Sequence, residues 1–83
     1  MKILWFAWLR TRVGTGEEIV EKPADIATVG QLLDWLAARS PGHAQALARR
    51  DVVRVAVNQT YVPLDHAVAD GDEIAIFPPV TGG

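Results

Sequence analysis

The chain has 83 residues, 49% of them hydrophobic, with eight basic and ten acidic side chains and a formal charge of -2. That length supports one small domain, which hides only about 60% of the surface its unfolded form exposes and leaves little stability for a deep active site, so a carrier or binding module is favoured over an enzyme. The near-neutral charge offers no footprint for a nucleic-acid backbone, and the absence of cysteine excludes disulfides, thiolate metal sites and cysteine nucleophiles.

In chain order, the apolar run Ile3-Leu4-Trp5-Phe6-Ala7-Trp8-Leu9 is rich in aromatic and branched residues and reads as a strand. It is too short to cross a bilayer, and Arg10 and Arg12 stand where a signal peptide needs small residues, so a cytoplasmic chain with no membrane partner is expected. Arg10 to Gly16 reads as a polar, glycine-containing turn. Glu17 to Lys22 forms a second strand that Pro23 closes, which gives an N-terminal hairpin. Thr28 and Gln31 have capping-box spacing, and Val29, Leu32, Leu33 and Leu36 recur on one helical face up to the stop at Ser40-Pro41-Gly42. His43 to Arg50 adds a short second helical turn.

Val52 to Val57 is a β-branched strand, Asn58-Gln59 a turn and Tyr61-Val62 a brief strand. With no secretory route, the glycosylation sequon Asn58-Gln59-Thr60 is read as part of that turn. Asp70-Gly71-Asp72 turns the chain into the last strand, Glu73 to Phe77. One amphipathic stripe and one sheet face bury each other most economically as an α+β fold, a main helix laid across a mixed sheet of four to five strands. The first and last strands are expected to pair centrally. The domain then covers residues 1–77, with residues 78–83 as a flexible tail.

That tail is the candidate site of chemistry. Gly82 and Gly83 contribute no buried side chain and carry the largest conformational entropy, which suits a backbone that must thread a narrow channel; the competing reading is a frayed end. Pro78 and Pro79 bias the spacer toward an extended form, and the six residues after Phe77 span roughly 20 Å at full stretch. Phe77, Tyr61 and Phe6, with Arg10 nearby, are candidate partner-binding residues on the sheet face away from the helix, because aromatics and arginine anchor interfaces. Phe6 and Phe77 read equally well as core.

Other constellations carry less. Gly14-Thr15-Gly16 lacks the third glycine of a dinucleotide turn, and Glu17-Glu18 would repel a pyrophosphate. Asp65, Asp70, Asp72 and Glu73 lack calcium-loop spacing, so no metal site is expected. His43 and His66 have no nucleophile or second ligand at a recognised spacing and are expected to be solvated. Trp5, Trp8 and Trp35 read as packing or partly exposed surface.

Three segments point further: Val57-Asn58-Gln59-Thr60-Tyr61-Val62, Asp70-Gly71-Asp72-Glu73-Ile74, and above all Phe77-Pro78-Pro79-Val80-Thr81-Gly82-Gly83. They resemble the family of small, sulfur-carrying subunits of molybdopterin synthase, and the opening through Arg10 and Val13-Gly14 is similar too. The likeness spans the chain, although Ala24 to Arg50 matches only in pattern. It implies a ubiquitin-like β-grasp fold. It also implies that a partner enzyme adenylates the Gly83 carboxylate with ATP and magnesium held in its own site, and that a sulfur donor protein displaces AMP to leave a thiocarboxylate. The tail, Pro78, Pro79, Val80, Thr81 and Gly82, would then enter the large synthase subunit of a heterotetramer, where sulfur passes to a cyclic pyranopterin precursor. No cofactor would be bound by this chain itself. A carrier for thiamine, transfer RNA thiolation or amino-acid biosynthesis, a ubiquitin-like protein modifier, and a passive adaptor are the alternatives.

Overall fold

The computed structural model describes residues 1–79. Five strands form one mixed sheet in the order β2-β1-β5-β3-β4. β1 (Lys2–Trp5) and β5 (Glu73–Phe77) pair in parallel inside it, Ile3 opposite Ile74 and Trp5 opposite Ile76, as expected of the first and last strands. β2 (Glu17–Ile19) flanks β1 and β3 (Arg54–Val57) flanks β5, both antiparallel, while β4 (Thr60–Val62) forms the far edge beside β3. This is the ubiquitin-like β-grasp layout.

Successive side chains point to opposite faces of a strand, and that alternation divides the molecule. Ile3, Trp5, Val55, Val57, Ile74 and Ile76 bury one face against the helices, whereas Ala56, Tyr61, Ala75 and Phe77 belong to the other. Helix α2 (Val29–Ala37) crosses the buried face with Val29, Leu32, Leu33 and Leu36 fully enclosed. Its capping box is formed: Thr28 Oγ1 accepts from the Gln31 backbone N–H at 3.3 Å, and Gln31 Oε1 accepts from the Thr28 N–H at 3.2 Å. The cap contributes about 1 kcal/mol, whereas each enclosed aliphatic side chain contributes about 1.5–3 kcal/mol, so packing holds the helix and the cap sets where it begins.

The opening run departs from the single strand expected over Ile3 to Leu9. β1 ends at Trp5, Phe6 stays extended, Ala7 reverses the chain at a φ of 56°, and helix α1 (Ala7–Val13) follows. Leu9 is fully buried and Val13 packs against the core, one helical turn apart, so tertiary burial overrides the strand preference of the aromatics. Gly14, at a φ of 97°, ends α1 by donating its N–H to the Arg10 carbonyl at 2.8 Å. The segment Arg10 to Gly16 is therefore mostly helix rather than turn. β1 and β2 remain antiparallel neighbours, joined through α1.

The other corrections are smaller. β2 stops at Ile19 instead of Lys22, and one further bond runs from the Val20 N–H to the Met1 carbonyl. Ser40-Pro41-Gly42 starts a helix rather than only stopping one: α3 (Pro41–Ala46) has Ser40 as its cap and Pro41 in its first turn, where a missing N–H goes unnoticed. The expected start of β3 at Val52 gives way to a 3₁₀ turn, Arg50–Val52. Asn58 and Gln59 turn β3 into β4 at φ values of 50° and 71°, the twist a two-residue hairpin needs. Asp72 closes its own turn, accepting from the Ala69 N–H at 2.8 Å and from Asn58 Nδ2 at 3.0 Å, and these bonds hold its carboxyl below the usual range. Among the described residues, no helix is long and apolar enough to cross a membrane.

Candidate functional site

The helix-free face of the sheet carries an open apolar groove of about 420 Å³. Its floor follows from the register. Ala56 stands opposite both Ala75 and Tyr61, and these small residues on β3 and β5 leave room between the larger ones. Phe6, Tyr61 and Phe77 supply the aromatic surface, and the Tyr61 and Phe77 rings meet at a centroid distance of 5.2 Å, tilted by 44°. Tyr61 is 70% exposed and Phe6 47%, while Phe77 is half-buried. Grouped exposed aromatics of this kind mark interaction surfaces more than isolated apolar residues do.

Phe6 reaches this face because it continues the alternation of β1, one residue past the inward-facing Trp5. Its N–H still bonds the Ile76 carbonyl at 3.1 Å, and the reversal at Ala7 then carries the chain away. Phe6 and Phe77, which the sequence left open as core or surface, both line the groove with Tyr61. Arg10 does not. It lies on α1 with its guanidinium against Gly16, where an added Cβ would come within 3.0 Å of Arg10 Nε. Pro78 lines the groove and Pro79, half-buried, follows it; Val80, Thr81, Gly82 and Gly83 lie outside the described residues.

A second constellation, on the helix side, escaped the sequence reading altogether. His43 is buried, not solvated: its Nε2 lies 2.8 Å from Glu18 Oε2, and its Nδ1 lies 2.7 Å from Ser40 Oγ. Trp5 Nε1 donates to the same Glu18 oxygen at 2.7 Å, and the Trp5 and His43 rings pack edge to face at 5.5 Å. Burial opposes ionisation of Glu18, but the hydrogen bonds from His43 and Trp5 together with the charges of His43 and Arg39 outweigh it, and its carboxyl titrates below the usual range. Although a serine, a histidine and a carboxylate stand in a row, Ser40 Oγ caps α3 by accepting the His43 backbone N–H at 3.2 Å. The row ties β2 to α3. No spacing rule joins positions 18, 40 and 43, so only the folded chain, which brings the half-buried Glu18 and Ser40 to the buried His43, reveals it. His66, by contrast, is exposed as expected.

Comparison with known proteins agrees with the geometry. The ThiS family model matches residues 3–83. The molybdopterin synthase sulfur carrier subunit of Escherichia coli K12 is 48% identical over 100% of this chain and 99% of its own, and that of Haemophilus influenzae is 41% identical over the same shares. The crystal structure of the Haloferax volcanii small archaeal modifier protein 1 superposes with a TM-score of 0.79 at 33% identity, covering 96% of this chain and 97% of that one. A match over nearly every residue, on the fold the sheet register independently describes, places this chain in the ThiS family.

Proposed function

We propose that this protein is the sulfur carrier of molybdopterin synthesis, working through its C-terminal carboxylate. The observation that carries the reading is continuity. Phe77 and Pro78 belong to the aromatic groove and lead directly into the Pro79-Val80-Thr81-Gly82-Gly83 segment, so a partner seated on the groove receives the terminus in a defined direction. Full-length identity to named sulfur carrier subunits supports it. In the cytoplasm, an activating enzyme joins the Gly83 carboxylate to AMP from ATP, releasing pyrophosphate, because a bare carboxylate is a poor electrophile. A sulfur donor protein then provides the sulfur that displaces AMP. The thiocarboxylate enters the large synthase subunit, two carriers flanking a dimer of large subunits, and sulfur passes to the pyranopterin precursor.

Since the chain has no cysteine, a thiol-alkylating reagent has one target once the thiocarboxylate forms. Incubation with the activating enzyme, ATP, magnesium and sulfide, followed by alkylation and fragment mass analysis, is expected to place one adduct on Gly83. Absence of an adduct would remove the reading. The likeness to a small archaeal modifier protein favours one alternative, attachment of the same terminus to lysines, which the same sample would show as isopeptide-linked species.

A further inference from the structure

Among the described residues, four of the eight lysines and arginines pair with a carboxylate. Lys2 pairs with Glu17, Arg39 with Glu18, Arg49 with Asp51 and Arg50 with Asp34, while Lys22 donates to the carbonyls of Pro23 and Ile26. Among the described residues Arg54 has no carboxylate within 4.0 Å: one guanidinium nitrogen donates to the Asp51 and Val53 carbonyls, each at 3.1 Å. Arg10 and Arg12 share that condition, but they lie on α1. Arg54 stands on β3 directly opposite Phe77 and is exposed on the same side as the aromatic groove.

Arg54 also lines a second cleft, of about 230 Å³, with Arg50, Tyr61, Val62, Pro63 and Leu64. Tyr61 borders both hollows, so the cleft adjoins the groove at the β4 edge of the sheet, with the inward-facing Val53 and Val55 at its back. It follows β4, an edge strand whose outer backbone is open to an added segment. Its chemistry is mixed. Leu64, 45% exposed, and Pro63 offer aliphatic surface, while two guanidiniums disfavour a basic occupant. Asp34 already engages Arg50, at 2.9 Å, which leaves Arg54 as the donor to anything that arrives. A carboxylate suits its planar donor fork.

We propose that the partner covering the aromatic groove extends an acidic segment past Tyr61 into this cleft, its carboxylate on Arg54 and a neighbouring aliphatic side chain against Pro63 and Leu64. The identity of that partner, the large molybdopterin synthase subunit, rests on the sulfur-carrier reading. Arg54 then supplies selectivity and encounter rate, while the aromatics supply contact area.

The test titrates the full-length carrier with the large subunit from the same organism at low and high salt. Arg54→Glu is expected to weaken binding about tenfold or more at low salt and to flatten the salt dependence, and Arg54→Gln to do so less. Arg12→Glu, the same charge change on α1, should leave affinity near wild type, and Phe77→Ala should weaken binding at every salt concentration. Unchanged affinity and salt response in both Arg54 variants, with Phe77→Ala still impaired, would overturn the acidic-segment inference and leave the carrier reading standing. Equal losses from Arg12→Glu and Arg54→Glu would reduce the effect to net charge and also overturn it. Failure of the wild-type pair to associate would remove both.

Discussion

His43 Nε2 on α3 meets Glu18 Oε2 on β2 at 2.8 Å, beneath the edge of Trp5. With Glu18 ionised, the ring nitrogen facing it carries the proton, and Nδ1 shares a hydrogen bond with the Ser40 hydroxyl. One carboxylate oxygen thus accepts from a strand residue and a helix residue at once.

This contact makes stability depend on acid. The folded state holds the Glu18 carboxyl below its ordinary value of 4.5, so the contribution is complete above that pH and disappears as pH falls through the lower folded value. Glu18→Gln is expected to lower stability by about 1–2 kcal/mol at neutral pH and to approach wild type in acid, read by urea unfolding across the pH range. A constant difference at all pH values would show that the charge of Glu18 is immaterial.

Gly42 lets α1 and α3 touch. A Cβ there would fall within 2.3 Å of the Arg12 carbonyl oxygen, a backbone atom that cannot move without displacing α1. Gly42→Ala is expected to destabilise by about 1–3 kcal/mol, visible as a lowered melting temperature.

Gln59 sits at a φ of 71° in a turn where Asn-Gly is the favoured pair. Left-handed backbone costs a non-glycine residue about 1–2 kcal/mol, against about 0.5–1 kcal/mol of added chain entropy for glycine. Gln59→Gly should therefore raise stability by about 0.5–1 kcal/mol, a gain that thermal unfolding would detect.

Tyr61→Ala separates binding from folding. A side chain 70% exposed contributes little to the core, so the melting temperature should stay near wild type while affinity for the large subunit falls by about 1–3 kcal/mol in calorimetric titration. A matching loss of stability would make Tyr61 a structural residue.

Deleting Gly82 and Gly83 should leave unfolding unchanged and abolish sulfur transfer, since the last residues of a chain commonly contribute little to stability. A lowered melting temperature would assign these residues to the fold.

Much of this molecule was legible before folding wherever the signal is local. Thr28 and Gln31 announce the start of α2 because a capping box closes within one turn, and Asn58-Gln59 and Asp70-Gly71-Asp72 mark turns that their own side chains and dihedrals can make. The Phe77 to Gly83 motif carried the family likeness, and the run Glu73 to Phe77 reads as the strand it forms.

What only the tertiary structure decided depends on distant neighbours. Phe6 and Trp8 favour a strand by themselves, yet the packing of Leu9 and Val13 turns the chain into α1 straight after Phe6, which meets Tyr61 and Phe77, residues more than fifty positions away, only in the folded sheet. His43 likewise reads as solvated in sequence, and nothing there joins it to Glu18. Removing the His43 ring and much of the Glu18 carboxylate from water is unfavourable for either alone and tolerable when each satisfies the other, a condition created by the packing of α3 against the sheet and written at neither position.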